Sequence, residues 1–348
     1  MFLFVSISAS AQQKDFPRKG EGIYAFLRRH NREGEAYYAE FIKLNKNKLG
    51  KNQTLLKDIE YTVPIKLDAA LESGAIEESD DTPVVKPAEE KKESDKPQME
   101  SKKYCEPLFG KDYQDYKILD NELAGTTFFL SSGHGGADSG ALPLIDGHKL
   151  PEDEYNYDVM LRLARNLLQH GATVHIIIQD KTNGIRDDKY FRHDKTETCM
   201  GKKIPASLKP RLQQRVDAIN TLSKKSKSKY QRAIFIHHDS RQPTMKVDAF
   251  FYYQEGVNAS IKLAGTVQKL FREKYNEHQP GRGYSGGVSN GAPRIPYVMR
   301  NTKPVSIFAE LANMRNSSDQ KRYLNADNRQ ALANWLAIGL IRDYKNSK

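Results

Sequence analysis

The sequence predicts an α/β fold: a central, mostly parallel sheet flanked by helices, preceded by a small βααβ module. Three observations carry this. From Tyr104 to Lys348 apolar runs alternate with amphipathic segments, the pattern of strands and helices packed in layers. From Glu77 to Lys103 the chain runs through Glu, Ser, Asp, Lys and Pro without an aromatic residue, too little apolar surface to order itself, so it is expected to be a disordered linker. From Lys19 to Pro64 a separate segment shows helical apolar spacing with strand-like ends.

The elements follow in order. Met1-Phe2-Leu3-Phe4-Val5-Ser6-Ile7-Ser8 is apolar and leads into Ala9-Ser10-Ala11, which reads as the end of a secretory signal with its small-residue cleavage site, residues 1–11. The basic residues that usually precede such a stretch are absent. The expected location is outside the cytoplasm, in the periplasm or cell envelope. No later run of about twenty apolar residues could span a bilayer, so no transmembrane segment is expected. Cys105 and Cys199 are the two cysteines of the chain; they could join or stay free, and are too few for a cysteine metal site.

The segment 19–64 opens with Gly20-Glu21-Gly22-Ile23-Tyr24-Ala25-Phe26-Leu27, continues through Phe41-Ile42-Lys43-Leu44-Asn45 and closes with Tyr61-Thr62-Val63-Pro64. It resembles the LysM module, a small sugar-binding fold with a glycine-rich opening, an Asn after an apolar pair and a closing run ending in Pro. The resemblance implies an anchor to the N-acetylglucosamine-containing chains of peptidoglycan.

In the region 104–348 the expected strands are Thr126 to Leu130, Thr173 to Ile178, Ala233 to Ile236 and Val305 to Ala309. The expected helices are Tyr155 to His170, Leu208 to Leu222, Asn258 to Lys274 and Ala326 to Asp343. In open α/β sheets ligands bind beyond the carboxyl ends of the strands. There the sequence places Gly133-His134-Gly135-Gly136, His237-His238-Asp239 and Glu310. A fourth contribution comes from Leu150-Pro151-Glu152-Asp153-Glu154, just ahead of a helix, where acids are also stabilised by the helix dipole alone. Two imidazoles and one carboxylate form a three-ligand set suited to Zn²⁺, leaving a position for water. Zinc-assisted amide hydrolysis further needs a carboxylate to move the water's proton, and Glu310 is the candidate.

From Phe128 to Leu324 the chain resembles the zinc-dependent N-acetylmuramoyl-L-alanine amidases of the type 3 family. The family's Gly-His-Gly-Gly turn with its following Asp and Gly-Ala matches Gly133 to Ala141 and implies His134 as a metal ligand. Its Glu four residues before an Asn matches Glu152 and Asn156, favouring Glu152 over Glu154. Its Ser-Ile-His matches Phe235-Ile236-His237, favouring His237 over His238. Its Val-Glu-x-Gly-Phe-x-x-Asn matches Ala309 to Asn316 and gives Glu310 the catalytic role. The departures, Ser131-Ser132 before the turn, Phe235, and Ala312-Asn313 after the Glu, remove none of these four side chains.

Arg282, Arg294 and Arg300 precede the last strand, and one could grip a stem-peptide carboxylate by bidentate pairing. Arg294, Arg300 and Asp239 are the candidate substrate-binding residues. The polar connection from Lys181 to Lys209 carries Arg186, Asp187, Asp188, His193, Asp194, Glu197 and Cys199. A second metal site is conceivable there, with a solvated loop the plainer reading. If that connection occludes the site, a protein activator is a candidate partner. With 55 Lys plus Arg against 44 Asp plus Glu the net charge is +11, which favours an anionic partner. Nucleic acid is not expected, since no recognition module accompanies the charge. The expected activity is cleavage of the amide between N-acetylmuramic acid and L-alanine. The alternatives are another zinc hydrolase of the wall, a carboxypeptidase or deacetylase, or a non-catalytic wall-binding activator.

Overall fold

The computed structural model describes residues 13–18, 21–30, 32, 35–50, 54–65, 103–293 and 295–348. The expected signal segment 1–11, nearly all of the expected linker, and Arg294 lie outside the described residues. The chain divides into two compact units, Met1–Glu100 and Ser101–Lys348.

In the first unit β1 (Lys14–Asp15), α1 (Ile23–Arg29), α2 (Glu35–Asn45) and β2 (Tyr61–Thr62) follow in sequence, with β1 antiparallel to β2. The opening strand therefore lies ahead of Lys19, where the compact segment was expected to begin. Ile23, Phe26, Leu27, Phe41, Tyr61 and Val63 form the buried core. Asn45, almost wholly buried, clamps the closing strand. Its Nδ2 donates to Thr62 O at 2.8 Å, and Thr62 N donates to its Oδ1 at 2.8 Å. Two good hydrogen bonds explain why a polar side chain is tolerated in so small a core.

The second unit begins with the hairpin β3 (Lys103–Cys105) and β4 (Asp115–Lys117), then β5 (Thr126–Ser132), the short pair β6 (Leu144–Ile145) and β7 (His148–Lys149), and α3 (Glu152–Gln169). Next come β8 (Thr173–Ile176), β9 (Ile178–Gln179), β10 (Thr198–Cys199), β11 (Lys202–Lys203), α4 (Leu208–Lys225), β12 (Tyr230–Asp239), β13 (Phe250–Tyr253) and α5 (Asn258–His278). The chain closes with β14 (Gly287–Ser289), α6 (Tyr297–Asn301), β15 (Val305–Asn313), α7 (Ser317–Leu324) and α8 (Ala326–Asn346).

Six strands form the central sheet in the order β14-β13-β15-β12-β5-β8. β12 lies at its heart, parallel to β5 and β15, and β8 is parallel to β5. The antiparallel pairing of β13 with β15 makes the sheet mixed. Every residue of β5 is buried, as expected for a strand covered on both faces, with Phe128, Phe129 and Leu130 as its apolar centre.

Successive residues of β12 reach opposite layers. Gln231 Oε1 accepts from Ser223 Oγ of α4 at 2.7 Å, while Arg232 Nε donates to Asp343 of α8 at 2.9 Å. With a side-chain period of two, α4 covers one face of the sheet and α8 the other. α3 and α5 both pack on α8 and complete that layer.

Helix α3 starts at Glu152, directly after Pro151 and three residues earlier than the spacing suggested, so Glu152, Asp153 and Glu154 form its first turn. Proline suits the start of a helix because it gives up no needed N–H. Cys105 is exposed, Cys199 is buried, and both are free. Among the described residues no helix is long and apolar enough to cross a membrane.

Candidate metal centre

The central sheet presents its carboxyl edge to a cluster drawn from three segments. His134 stands in the turn after β5 with φ 62°, a left-handed conformation that costs a non-glycine residue of order 1–3 kcal/mol and persists only when its surroundings fix it. Those surroundings are visible. Arg215 of α4 donates to the His134 carbonyl, and Asp138 Oδ2 holds the His134 Nδ1 at 2.7 Å.

His237 lies near the end of β12, in register with Glu310 on the parallel strand β15. Residues paired this way point to the same face, so both side chains emerge together. His238 necessarily points to the other face. There its Nδ1 lies 2.7 Å from Asn156 Oδ1 of α3, which fixes it in the packing away from the cluster.

Glu152 closes the cluster from the first turn of α3. Its Oε1 lies 3.1 Å from His134 Nε2 and 3.2 Å from His237 Nδ1. Asn156 Nδ2 donates to the same oxygen at 3.2 Å, and Ala141 N donates to Oε2 at 2.9 Å. One ligand atom from each of His134, Glu152 and His237 lies within 4.8 Å of the other two. Zinc bonds of about 2.0–2.1 Å in a tetrahedron set ligand-to-ligand spacings of roughly 3.3 Å. The two donor spacings to Glu152 match that value, as a zinc ion shared by these residues would require.

Two glycines make room for this approach. A Cβ on Gly133 would run into the His237 imidazole. One on Gly140, whose φ is +66°, would come within 2.7 Å of both Glu152 Oε2 and His134 Cδ2.

The electrostatics follow from burial and pairing. Burial disfavours charge on His134, but the hydrogen bonds to Asp138 and Glu152 outweigh it and raise its pKa to about 10. A proton is thus held where a cation would bind. Burial opposes charge on Glu152 as well, and hydrogen bonds from His134 and His237 reverse the effect, holding it well below the usual carboxylate range. Burial lowers His237, favouring the neutral imidazole that can ligate a metal. Glu310 is pushed well above the usual range by burial first and then by the charges of Glu152 and Asp239. Its Oε2 is buried without a hydrogen-bond partner.

The structure therefore brings His134, Glu152, His237 and Glu310 to one place. Glu154 turns away, its Oε2 accepting from Arg186 at 2.8 Å. Asp239 shares the sheet edge and pairs with Arg241 at 2.5 Å. Arg300 is exposed on α6, ahead of the amino end of β15. Among the described residues no contact joins it to the cluster. Three supporting residues went unread as site members: Asp138, whose only signal was its place in the glycine turn; Asn156, which bonds both Glu152 and His238; and Arg211, 2.6 Å from Asp138 Oδ2.

Fold and site together define an α/β protein with a candidate metal centre and an unpaired carboxylate beside it, the equipment of a hydrolase. Residues 129–342 match the profile of the family described as N-acetylmuramoyl-L-alanine amidase. The chain belongs to that family, and it is a peptidoglycan amidase. No curated protein sequence matches the chain. Among solved structures it is similar to the catalytic domain of CwlV, an N-acetylmuramoyl-L-alanine amidase from Bacillus (Paenibacillus) polymyxa var. colistinus. The identity is 20%, over 64% of this chain and 99% of that one, with a TM-score of 0.45. AmiC2 of Nostoc punctiforme, also an N-acetylmuramoyl-L-alanine amidase, gives 20%, 64%, 99% and 0.44. Cwp6 from Clostridium difficile gives 22% identity over 62% of this chain with a TM-score of 0.44, and the chain spans 29% of Cwp6.

Proposed function

We propose that the amidase is zinc-dependent, with His134, Glu152 and His237 as the metal ligands and Glu310 as general base and then general acid. The observation that carries this reading is the meeting of both imidazoles on Glu152 Oε1, at 3.1 and 3.2 Å, beside the partnerless Glu310 Oε2. Bound there, zinc would acidify a water in its open position and polarise the substrate carbonyl.

The residues do the rest. Asp138 fixes the His134 ring so that Nε2 faces the cluster, the arrangement that sets tautomer and orientation at metal sites. Glu310, short of hydrogen bonds and raised in pKa, is suited to take a proton from the attacking water and return it to the departing nitrogen. The Glu152 charge that raises it is the charge a bound cation would offset. Asp239 is proposed to contact substrate from the same edge, and Arg294 to grip the stem peptide. The bond cleaved is the amide between the lactyl group of N-acetylmuramic acid and L-alanine.

The first unit is proposed to be a LysM-like wall anchor, on the βααβ order and the Asn45 clamp, and the protein to be exported, on its apolar first residues. Mass spectrometry of muropeptides tests the reaction. Zinc-reconstituted enzyme should release intact stem peptides, and chelator-treated enzyme none. Equal release by metal-free enzyme would refute the zinc reading, and loss of only a terminal amino acid or acetate would refute the bond assignment.

A further inference from the structure

We propose that the chain carries a second divalent-cation site, built from Asp153, Glu154, His193 and Glu197 and distinct from the His134, Glu152 and His237 cluster. One ligand atom from each of the four lies within 4.8 Å of the others. They come from two segments far apart in sequence, the first turn of α3 and the connection after β9.

Most of this connection is exposed, as a solvated loop would be, but a few of its residues turn inward. Phe191, Glu197, Cys199 and Ile204 are buried, and Glu197 Oε2 accepts from Gly136 N at 2.9 Å. Asp153 and Glu154 are each 1% exposed and Glu197 4%, so three carboxylates sit out of water. A carboxylate survives there only when cations and donors face it. The partners present fall short of three charges: Arg186 Nη2 on Glu154 Oε2 at 2.8 Å, and His193 Nδ1 at 2.7 Å from Asp153 Oδ2. Asp153 Oδ1 and Glu154 Oε1 are left buried with no hydrogen-bond partner. Two orphaned acceptor oxygens in a group that also offers an imidazole are what a bound cation would satisfy.

The donor set names the class of ion. Calcium and magnesium take all-oxygen sites, whereas one imidazole with three carboxylates suits a first-row ion such as Mn²⁺ or Zn²⁺. Consecutive helical residues point about 100° apart, so Glu152 and Asp153 serve different sites from adjacent positions. The ion would fasten the 193–197 segment to the start of α3 and, through Glu197 and Gly136, to the turn carrying His134. Its role is to hold two elements of the catalytic centre in place, and it takes no part in the reaction.

The test uses the full chain and metal content after equilibration with Zn²⁺ or Mn²⁺ and dialysis. Wild type should hold two equivalents. The variant His134→Ala/His237→Ala should keep one, and adding His193→Ala or Glu197→Gln should remove it. Adding either ion should raise the melting temperature of the double variant, and the rise should disappear with Glu197→Gln. A single equivalent in wild type, lost entirely in a folded His134→Ala/His237→Ala protein with no metal-dependent rise in melting temperature, would overturn the proposal. One equivalent that survives the double variant and vanishes with His193→Ala would instead uphold this site and refute the catalytic one. If the double variant does not fold, His193→Ala in the wild-type background decides: loss of one equivalent supports the site, and an unchanged metal content overturns it.

Discussion

His134 Nδ1 lies 2.7 Å from Asp138 Oδ2, and Arg211 reaches the same oxygen at 2.6 Å. The carboxylate thereby fixes which imidazole nitrogen faces Glu152. Removing such a partner typically weakens metal binding roughly 10- to 100-fold. Asp138→Asn is therefore expected to raise by that factor the zinc concentration needed for half-maximal activity. A chelator competition titration checks it; unchanged affinity would remove Asp138 from the account.

Gly140 admits no side chain without displacing Glu152 and His134. Because a Cβ there would sit 2.7 Å from Glu152 Oε2 and from His134 Cδ2, at a φ of +66°, Gly140→Ala should fold yet lose most of its activity. Circular dichroism alongside a turnover assay separates the two effects. A folded, fully active Gly140→Ala protein would show that the cluster tolerates displacement.

His237 and His238 face opposite sides of β12, which predicts opposite outcomes for two neighbouring substitutions. His237→Ala should abolish zinc-dependent activity with little change in packing. His238→Ala should retain zinc-dependent activity but destabilise the fold by about 1–3 kcal/mol, because Asn156 Oδ1 is left buried and unpaired. Chemical denaturation and zinc reconstitution of both variants provide the comparison.

Legibility in the sequence divided along physical lines. The strands that carry His134, His237 and Glu310 were readable because buried parallel strands are continuous apolar runs. The longer helices were readable from their apolar stripes. β13 and β14 were missed: Phe250–Tyr253 is an all-aromatic run of four and Gly287–Ser289 a three-residue strand at the sheet edge. α7 was missed because Ser-Ser-Asp-Gln-Lys-Arg shows no stripe, its helix being started by Asn316, whose side chain accepts from Ser318 N and Asp319 N. Glu152 was singled out from Asp153 and Glu154 only through family resemblance, since three acids in a helix's first turn have a sufficient cause in the dipole. What distinguishes Glu152, Asp153 and Glu154 is the direction of each side chain, and that depends on a helix start three residues earlier than the spacing suggested. The burial of Glu197, within a connection that is otherwise mostly exposed, was invisible for a related reason: the Gly136 N–H it accepts from is distant in sequence.

Asp158 anchors the α3 and α8 layer. It is fully buried and meets Arg162 Nε at 2.8 Å and Arg329 Nε at 2.6 Å. Burial alone would raise its pKa, but the two guanidinium groups outweigh it and lower it from 3.8 to about 2. A depressed folded-state value contributes stability that is present above 3.8 and lost as pH falls through about 2. Asp158→Ala should cost roughly 3–5 kcal/mol at neutral pH by leaving buried Arg329 without a carboxylate and buried Arg162 with only the half-exposed Asp187. It should also flatten the decline in stability across that acid window. Denaturation curves between pH 2 and 7 would reveal an unaltered slope if Asp158 were not responsible.

The central claim is that Glu310 moves the proton while His134, Glu152 and His237 hold the metal, and Glu310→Gln separates those roles with one atom exchanged. Metal content and muropeptide turnover should be measured together on this variant. The account predicts the wild-type metal content and a loss of turnover of roughly 10²- to 10⁴-fold, the usual worth of general acid–base catalysis. Wild-type turnover by Glu310→Gln, or loss of metal from it, would contradict the assignment.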